Sequence, residues 1–163
     1  MIPASIEFYD VVVFVHIAAV VLAFGPTFGY GFFQAIAERH FPRSIPNVMR
    51  AMRTIDRFLV IPGLLVILAA GVYLVLDGPW DFSDTFVGVG MAAVVLLLAF
   101  VFAFSGPTER RLAALAERDI AAAGTADVEL SDEYWAASKR SAIGGSLAGV
   151  LVLIAIFFMT VKP

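Results

Sequence analysis

The stretch FVHIAAVVLAFGPTFGYGFF, Phe14–Phe33, decides the fold, because its twenty residues include no acid, no lysine and no arginine. A helix of about 20 residues rises about 30 Å, which matches the hydrocarbon core of a bilayer. Lipid offers no partners to backbone N–H and C=O groups, and an α-helix pairs them within the segment. The stretch therefore predicts a membrane-spanning helix that carries one histidine, His16.

Three further apolar runs follow along the chain. The whole sequence is 61% apolar and 15% charged, whereas soluble domains are about 45–50% apolar and about 25% charged. No Asp, Glu, Lys or Arg falls within the four predicted spans, which cover residues 11–33, 58–76, 86–104 and 142–161. The sequence thus predicts an all-α fold, a single domain over residues 1–163 that forms a four-helix transmembrane bundle with up-down-up-down topology.

The helices are predicted to continue beyond the spans. Ser131 is followed by two acids, the pattern of a helix N-cap, so helix four should begin about ten residues before its span. The segment 109–123, closed by Gly124, either continues helix three or folds back on the bundle. We expect helices one and four to extend into the cytoplasm. Helix three should do so as well if the segment 109–123 continues it.

The basic residues predict the orientation. Ten of the eleven lie in the segments 34–57 and 105–141. The positive-inside rule places both segments in the cytoplasm and both termini outside, in a bacterial plasma (inner) membrane. Lipid is then the main partner that contacts the outer surface of the four spans. A net charge of −3 counts against nucleic acid as a partner.

His16 is the residue that points to a specific chemistry. Ala19, Val20 and Ala23 share its helix face, and two of them are small, which leaves room beside the ring. One interpretation is structural, with a neutral imidazole hydrogen-bonded to a neighbouring helix. The other is that His16 binds a metal, above all the iron of haem b.

A second ligand for such a metal is harder to find. His40 lies in the charged first loop, far from His16 along the chain. Met49, Met52 and Met91 are candidate thioether ligands, although methionine is also ordinary core filler. A five-coordinate site held by His16 alone is the remaining arrangement.

Arg50, Arg53 and Arg57 lie at i, i+3 and i+7 and so share one helix face. This face could bind anionic lipid headgroups or a phosphate, and Arg50 could bind the carboxylate of a cofactor. The simpler interpretation is that the three arginines anchor the helix at the membrane interface.

The sequence leaves several functions open. We find no nucleophile motif, phosphate loop or HExxH, and whether the protein is an enzyme stays undecided. Spans two and three have no polar interior beyond Tyr73, which counts against a coupled pump. The hypotheses are a haem-binding or redox-accessory protein using His16, a structural or regulatory subunit of a larger membrane complex, and a small transporter that works as a homo-oligomer.

Two segments carry a family resemblance. FVHIAAVVLAFGPTFGYGFFQAIAERH (residues 14–40) and MRAMRTIDRFLVIPGLLVILAAGVYLV (residues 49–75), followed by a Trp, resemble a bacterial family of predicted four-helix membrane proteins of unknown function. That family is similar to the copper-resistance D domain and to HemJ-type protoporphyrinogen oxidases. The resemblance implies a four-helix fold and a haem ligand at His16, with Met49, Arg50, Pro62 and Trp80 as the other matching positions.

The sequence also departs from these relatives. The HemJ-type pattern has a Lys and another His in or near helix three, and residues 85–104 contain neither. The copper-related pattern has additional His or Met ligands, of which few are present here. The resemblance therefore favours the family of unknown function as the nearest kin.

Overall fold

The computed structural model describes residues 7–162 and consists of four long helices joined by short connections. They are α1 (Phe8–His40), α2 (Pro42–Asp77), α3 (Thr85–Ala123) and α4 (Asp132–Val161). Each is long and apolar enough to cross a bilayer. No strand occurs within the described range. The prediction of an all-α, four-span fold is confirmed.

Three of the four helices are not regular throughout. Their α-helical parts are Phe8–Phe24 and Tyr30–His40 in α1, Ile45–Ile55 and Ile61–Asp77 in α2, and Thr85–Phe100 and Gly106–Ala123 in α3. Pro26–Gly29 and Pro42–Ser44 are 3₁₀ turns, and Asp56–Val60 and Val101–Ser105 are π-helical turns.

Proline explains where both π-helical turns lie. Ile61 N–H bonds to the Asp56 carbonyl and Gly106 N–H to the Val101 carbonyl, each five residues back. In both helices the next residue is a proline, Pro62 or Pro107, which has no N–H to continue the regular ladder. The helix widens by one residue before each proline, and such π-bulges occur frequently at functional sites.

The connections are shorter than the sequence suggests. One residue, Phe41, separates α1 from α2, while residues 78–84 and 124–131 form the other two connections. The segments 34–57 and 105–141, which separate the predicted spans, are therefore mostly helical extensions of those spans. Of the two predictions for the segment 109–123, continuation of helix three is the correct one. Ser131 caps α4 as predicted, accepting a hydrogen bond from the Tyr134 backbone N–H.

Two buried clusters hold the bundle together. One lies among the apolar spans and includes Ala23, Leu64 and Leu97. The other lies among the helical extensions and includes Met49, Leu112 and Tyr134. Many large apolar side chains face outward from the spans, as expected of a surface solvated by lipid, where apolar exposure costs little.

The bundle has two chemically different ends. The described ends of the chain, at residues 7 and 162, and the connection 78–84 lie at one end, which we call the terminal end. The connections at Phe41 and 124–131 lie at the other, which we call the arginine end because it carries the ten clustered basic residues.

Candidate functional site

His16 lies on α1 in the terminal half of the bundle, with its ring against α2. A Cβ added at Gly71 would lie 3.3 Å from His16 Cε1 and 3.7 Å from Nδ1. The absence of a side chain at Gly71 therefore lets the ring sit directly on the helix. Nδ1 is buried and has no hydrogen-bond partner within the described range. The backbone of Ile67, one turn earlier on α2, comes near the ring without completing a hydrogen bond to Nδ1.

The His16 ring lines a cavity of about 520 Å³, which we call the terminal cavity. All four helices contribute to its wall, and most of the lining side chains are apolar. Pockets of about 300–1,000 Å³ with apolar walls and few polar groups are typical ligand sites. Because Nδ1 is sealed against α2 while the ring as a whole is partly exposed, Nε2 is the nitrogen left to meet a ligand.

Two methionines share this cavity with His16. Met91 of α3 and Met159 of α4 both line it. Met159 has room because its Cε lies where a side chain at residue 90 would be, and that residue is Gly90. Of the methionines predicted as second ligands, only Met91 lies near His16, because Met49 and Met52 are in the cluster at the arginine end. Met159 was not among the ligands predicted from the sequence.

One basic side chain lies at the mouth of the terminal cavity. Lys162 lines it, and its Nζ is 3.8 Å from the ring centroid of Trp80 and 5.6 Å from that of Phe86. These distances are those of a cation–π contact. Lys162 is the basic residue outside the two arginine-rich segments, and its position within the cavity was not predicted.

The arginine set lies far from His16, at the arginine end. Arg50 forms an ion pair with Glu117 of α3 and also donates a hydrogen bond to Asn47 Oδ1 over 3.2 Å. Arg57 lies over the ring of the neighbouring Phe58, 5.7 Å from its centroid. The structure thus does not bring His16 and Arg50 together, since Arg50 is absent from the lining of the terminal cavity. Binding of an anionic headgroup by these arginines stays a prediction.

A second cavity, of about 430 Å³, lies toward the arginine end, and we call it the acidic cavity. Three carboxylates line it, Glu38 of α1, Asp56 of α2 and Glu109 of α3. Asp56 and Glu109 are 6% and 5% exposed. Neither Asp56 nor Glu109 was among the site residues predicted from the sequence.

The two π-helical turns position this carboxylate pair. Asp56 is the first residue of one turn, and Ser105 is the last residue of the other, four residues before Glu109. The Ser105 hydroxyl lies 2.9 Å from Glu109 Oε1 and 3.4 Å from Asp56 Oδ2. The recurring signal in the sequence is a proline six residues after Asp56 and another six after Val101.

Burial changes the acidity of this pair, whose members lie just outside the apolar runs. Loss of water, reinforced by the charge of Asp56, raises the pKa of Glu109 to about 7, although the Ser105 hydrogen bond and the charge of Arg53 oppose the shift. Burial likewise raises the pKa of Asp56 against the hydrogen bonds from Tyr30 and Ser105. The pair therefore binds a proton more tightly than two exposed carboxylates would.

The two cavities adjoin inside the bundle. Phe24, Leu97 and Val152 line both of them. Leu97 and Val152 are almost completely buried, so apolar side chains from three helices lie between the His16 ring and the carboxylates.

Four apolar helices of spanning length with lipid-type outer surfaces define a multi-pass integral membrane protein. The chain belongs to the family described as "Predicted integral membrane protein (DUF2269)", whose model matches residues 10–163. No curated protein and no solved structure matches the chain.

Proposed function

We propose that this membrane protein binds haem b in the terminal cavity, with His16 as the ligand to the iron. The observation that carries the proposal is the His16 ring itself, whose Nδ1 is buried without a hydrogen-bond partner in the described chain beside an apolar cavity of about 520 Å³. An unpaired polar atom at this depth costs free energy, which points to a role beyond packing.

The surroundings of His16 fit this ligand. In metal sites the second nitrogen of a ligating His commonly donates to a backbone carbonyl, and the Ile67 backbone lies near the ring. A small shift on binding would complete that bond and leave Nε2 for the iron. The apolar wall suits a porphyrin body, and haem supplies one-electron chemistry when bound.

Two further features support a haem rather than a bare metal ion. Met91 and Met159 offer thioether sulfur from α3 and α4 as a second ligand, and His/Met ligation raises a haem potential. Lys162 at the mouth provides a cation for a propionate carboxylate. By contrast, the described residues contain no group of three or more His, Cys, Asp or Glu side chains that could hold a metal ion by themselves.

We infer the orientation from charge. Ten of eleven basic residues lie at the arginine end, so the positive-inside rule places that end in the cytoplasm and the His16 half of the bundle toward the outer face of a bacterial plasma membrane. Exposed Arg57, next to Phe58, is then placed to contact anionic headgroups at the inner interface.

The test is the visible spectrum of protein purified from its native host and of the apoprotein titrated with haemin. We expect a Soret band in the wild type and its loss in His16→Ala. The chain has one other histidine, the exposed His40 at the arginine end, so His40→Ala is the matched control and should keep the band. Added imidazole should restore the band in His16→Ala.

The same spectra can contradict the proposal. If the wild-type apoprotein fails to bind haemin, or if His16→Ala binds it with the spectrum and affinity of the wild type, His16 is not the ligand. If His40→Ala alone loses the band, the site lies at the arginine end instead.

A further inference from the structure

We propose that the acidic cavity binds a monovalent organic cation, a lipophilic ammonium or phosphonium type of ligand whose charge pairs with Glu109 and Asp56 and whose apolar body lies against the phenylalanines of the cavity wall. This inference does not depend on haem binding, because the acidic cavity lies beyond Phe24, Leu97 and Val152 from His16.

The first support is the unbalanced charge of the cavity. Three carboxylates line it and no lysine, arginine or histidine does so among the described residues. Arg53 acts on Glu109 through its charge but lies outside the lining. Buried carboxylates are costly unless a positive charge or enough hydrogen-bond donors compensate them. The cavity therefore selects for cations and against anions.

The hydrogen bonds single out Glu109 as the uncompensated group. Oε1 of Glu38 accepts three bonds, from Gln34 Nε2 at 2.9 Å, the Tyr134 hydroxyl at 3.0 Å and the Ser138 hydroxyl at 2.7 Å. Oε2 of Glu109 is buried and accepts none from the described residues. These three hydrogen bonds account for the carboxylate of Glu38 as a structural group. No comparable set of donors compensates the carboxylate of Glu109.

The hydroxyl that links Glu109 to Asp56 cannot satisfy both groups. Ser105 lies within reach of an oxygen of each, but a hydroxyl has a single hydrogen and donates to one acceptor at a time. Asp56 has a second donor in Tyr30, at 2.9 Å. A positive group placed between the two carboxylates would compensate both.

The wall of the cavity indicates an organic cation rather than a hydrated metal ion. Phe24, Phe28, Phe100 and Phe104 line it, and the last two rings are stacked with centroids 5.1 Å apart. Aromatic faces attract desolvated cations and bury apolar bodies. A Ca²⁺ or Mg²⁺ ion needs about six oxygen ligands gathered around one point, and the described residues contain no group of three or more His, Cys, Asp or Glu side chains that could hold such an ion.

The position of the cavity gives such a ligand a route from the bilayer. Phe28 of α1 and Ser146 of α4 line it and are also exposed on the outer surface of the bundle. The closest approach of Gly149 to α1 is loose, since a Cβ added there would lie 4.0 Å from the Phe28 ring. The cavity therefore opens sideways between α1 and α4, which suits a ligand that partitions into lipid.

The probe is tetraphenylphosphonium, and its isosteric anion tetraphenylborate is the ligand control. We expect the purified protein in nanodiscs to bind the cation above the level of protein-free nanodiscs and to show no such excess for the anion. Glu109→Gln should weaken cation binding by about tenfold or more, because it removes one partner of a buried charge pair. Glu117→Gln, an exposed acid on the same helix, should leave binding within about twofold, as expected for a screened surface charge.

A second measurement uses the wild-type protein and so does not depend on how a variant folds. Dicyclohexylcarbodiimide, which labels protonated carboxyls in apolar surroundings, should modify Glu109, and tetraphenylphosphonium should protect it in a saturable manner when followed by mass spectrometry. Equal binding of the cation and the anion, unchanged binding in folded Glu109→Gln, or labelling that the cation does not protect would each overturn the proposal.

Discussion

The Tyr30 hydroxyl donates a hydrogen bond to Oδ1 of Asp56 over 2.9 Å, joining α1 to the first residue of the π-helical turn in α2. Asp56 is buried and Tyr30 is half-buried, so the bond compensates part of a buried carboxylate. The same pair of groups occurs at the terminal end, where Tyr73 donates to Asp77 Oδ2 over 2.9 Å in an exposed setting. The two bonds differ in burial and hardly at all in length.

This contrast yields a matched pair of substitutions. Tyr30→Phe leaves a buried carboxylate short of a donor and should destabilise the fold by about 1–3 kcal/mol. Tyr73→Phe removes an exposed bond that water replaces, and we expect no measurable change. The check is thermal unfolding in detergent at constant pH, and equal midpoints for the two variants would contradict the structural role of Tyr30.

Neighbouring glycines on α4 provide a second pair. A methyl at Gly144 would overlap the Phe104 ring, whereas one at Gly145 meets nothing within 4 Å. Gly144→Ala should cost about 1–3 kcal/mol, because the ring must move within its stack on Phe100. Gly145→Ala should be neutral or stabilise the helix by up to about 1 kcal/mol. Thermal unfolding distinguishes the two, and a destabilised Gly145→Ala with an unaffected Gly144→Ala would reverse the packing described for α3 and α4.

Glu109 should make stability depend on pH. Its pKa in the fold is about 7, above the ordinary value of 4.5, so the folded state binds a proton more tightly than the unfolded chain. The resulting stabilisation is present below pH 4.5 and is lost as pH rises through 7. We therefore expect the unfolding midpoint of the unliganded protein to fall between pH 5.5 and about pH 8.

The control for this pH dependence is a permanently neutral side chain. Glu109→Gln should flatten the profile over the same range, while Glu117→Gln, whose exposed partner is Arg50, should keep it. The charged and titratable groups that act on Glu109 or line its cavity are Tyr30, Glu38, Arg53 and Asp56. A wild-type slope that survives in Glu109→Gln would show that a group other than Glu109 titrates over this range.

The spans and their extensions could be predicted from the sequence because they follow from local composition. The uninterrupted apolar run around His16 predicts a membrane-spanning helix, and Ser131 predicts the start of another helix. Each prediction uses only neighbouring residues. Packing contacts could not be assigned in this way. Gly145 and Gly149 have the four-residue spacing typical of helix contacts in membranes. The close contact nevertheless forms at Gly144, because the rotation of α4 against α3 decides which glycine faces Phe104.

The candidate sites also differ in whether local sequence or packing of the helices determines them. His16 was identifiable because a histidine in an apolar run is conspicuous by itself. The pairing of Asp56 with Glu109 was not, because it depends on two π-helical turns that bring residues 53 positions apart in sequence to one hydroxyl. The prolines that cause those turns are visible in the sequence, but their effect on the neighbouring helices is a property of the packed bundle.

Four membrane crossings would put the arginine end on one face of the membrane and the terminal end on the other. The chain contains no cysteine, so single cysteines can be introduced at exposed positions without background labelling. We predict that an impermeant maleimide applied to intact cells labels Ser83→Cys directly and labels Asn47→Cys and Thr125→Cys only after permeabilisation. Labelling of Asn47→Cys and Thr125→Cys from opposite faces, or of all three from the same face, would contradict the four-span arrangement.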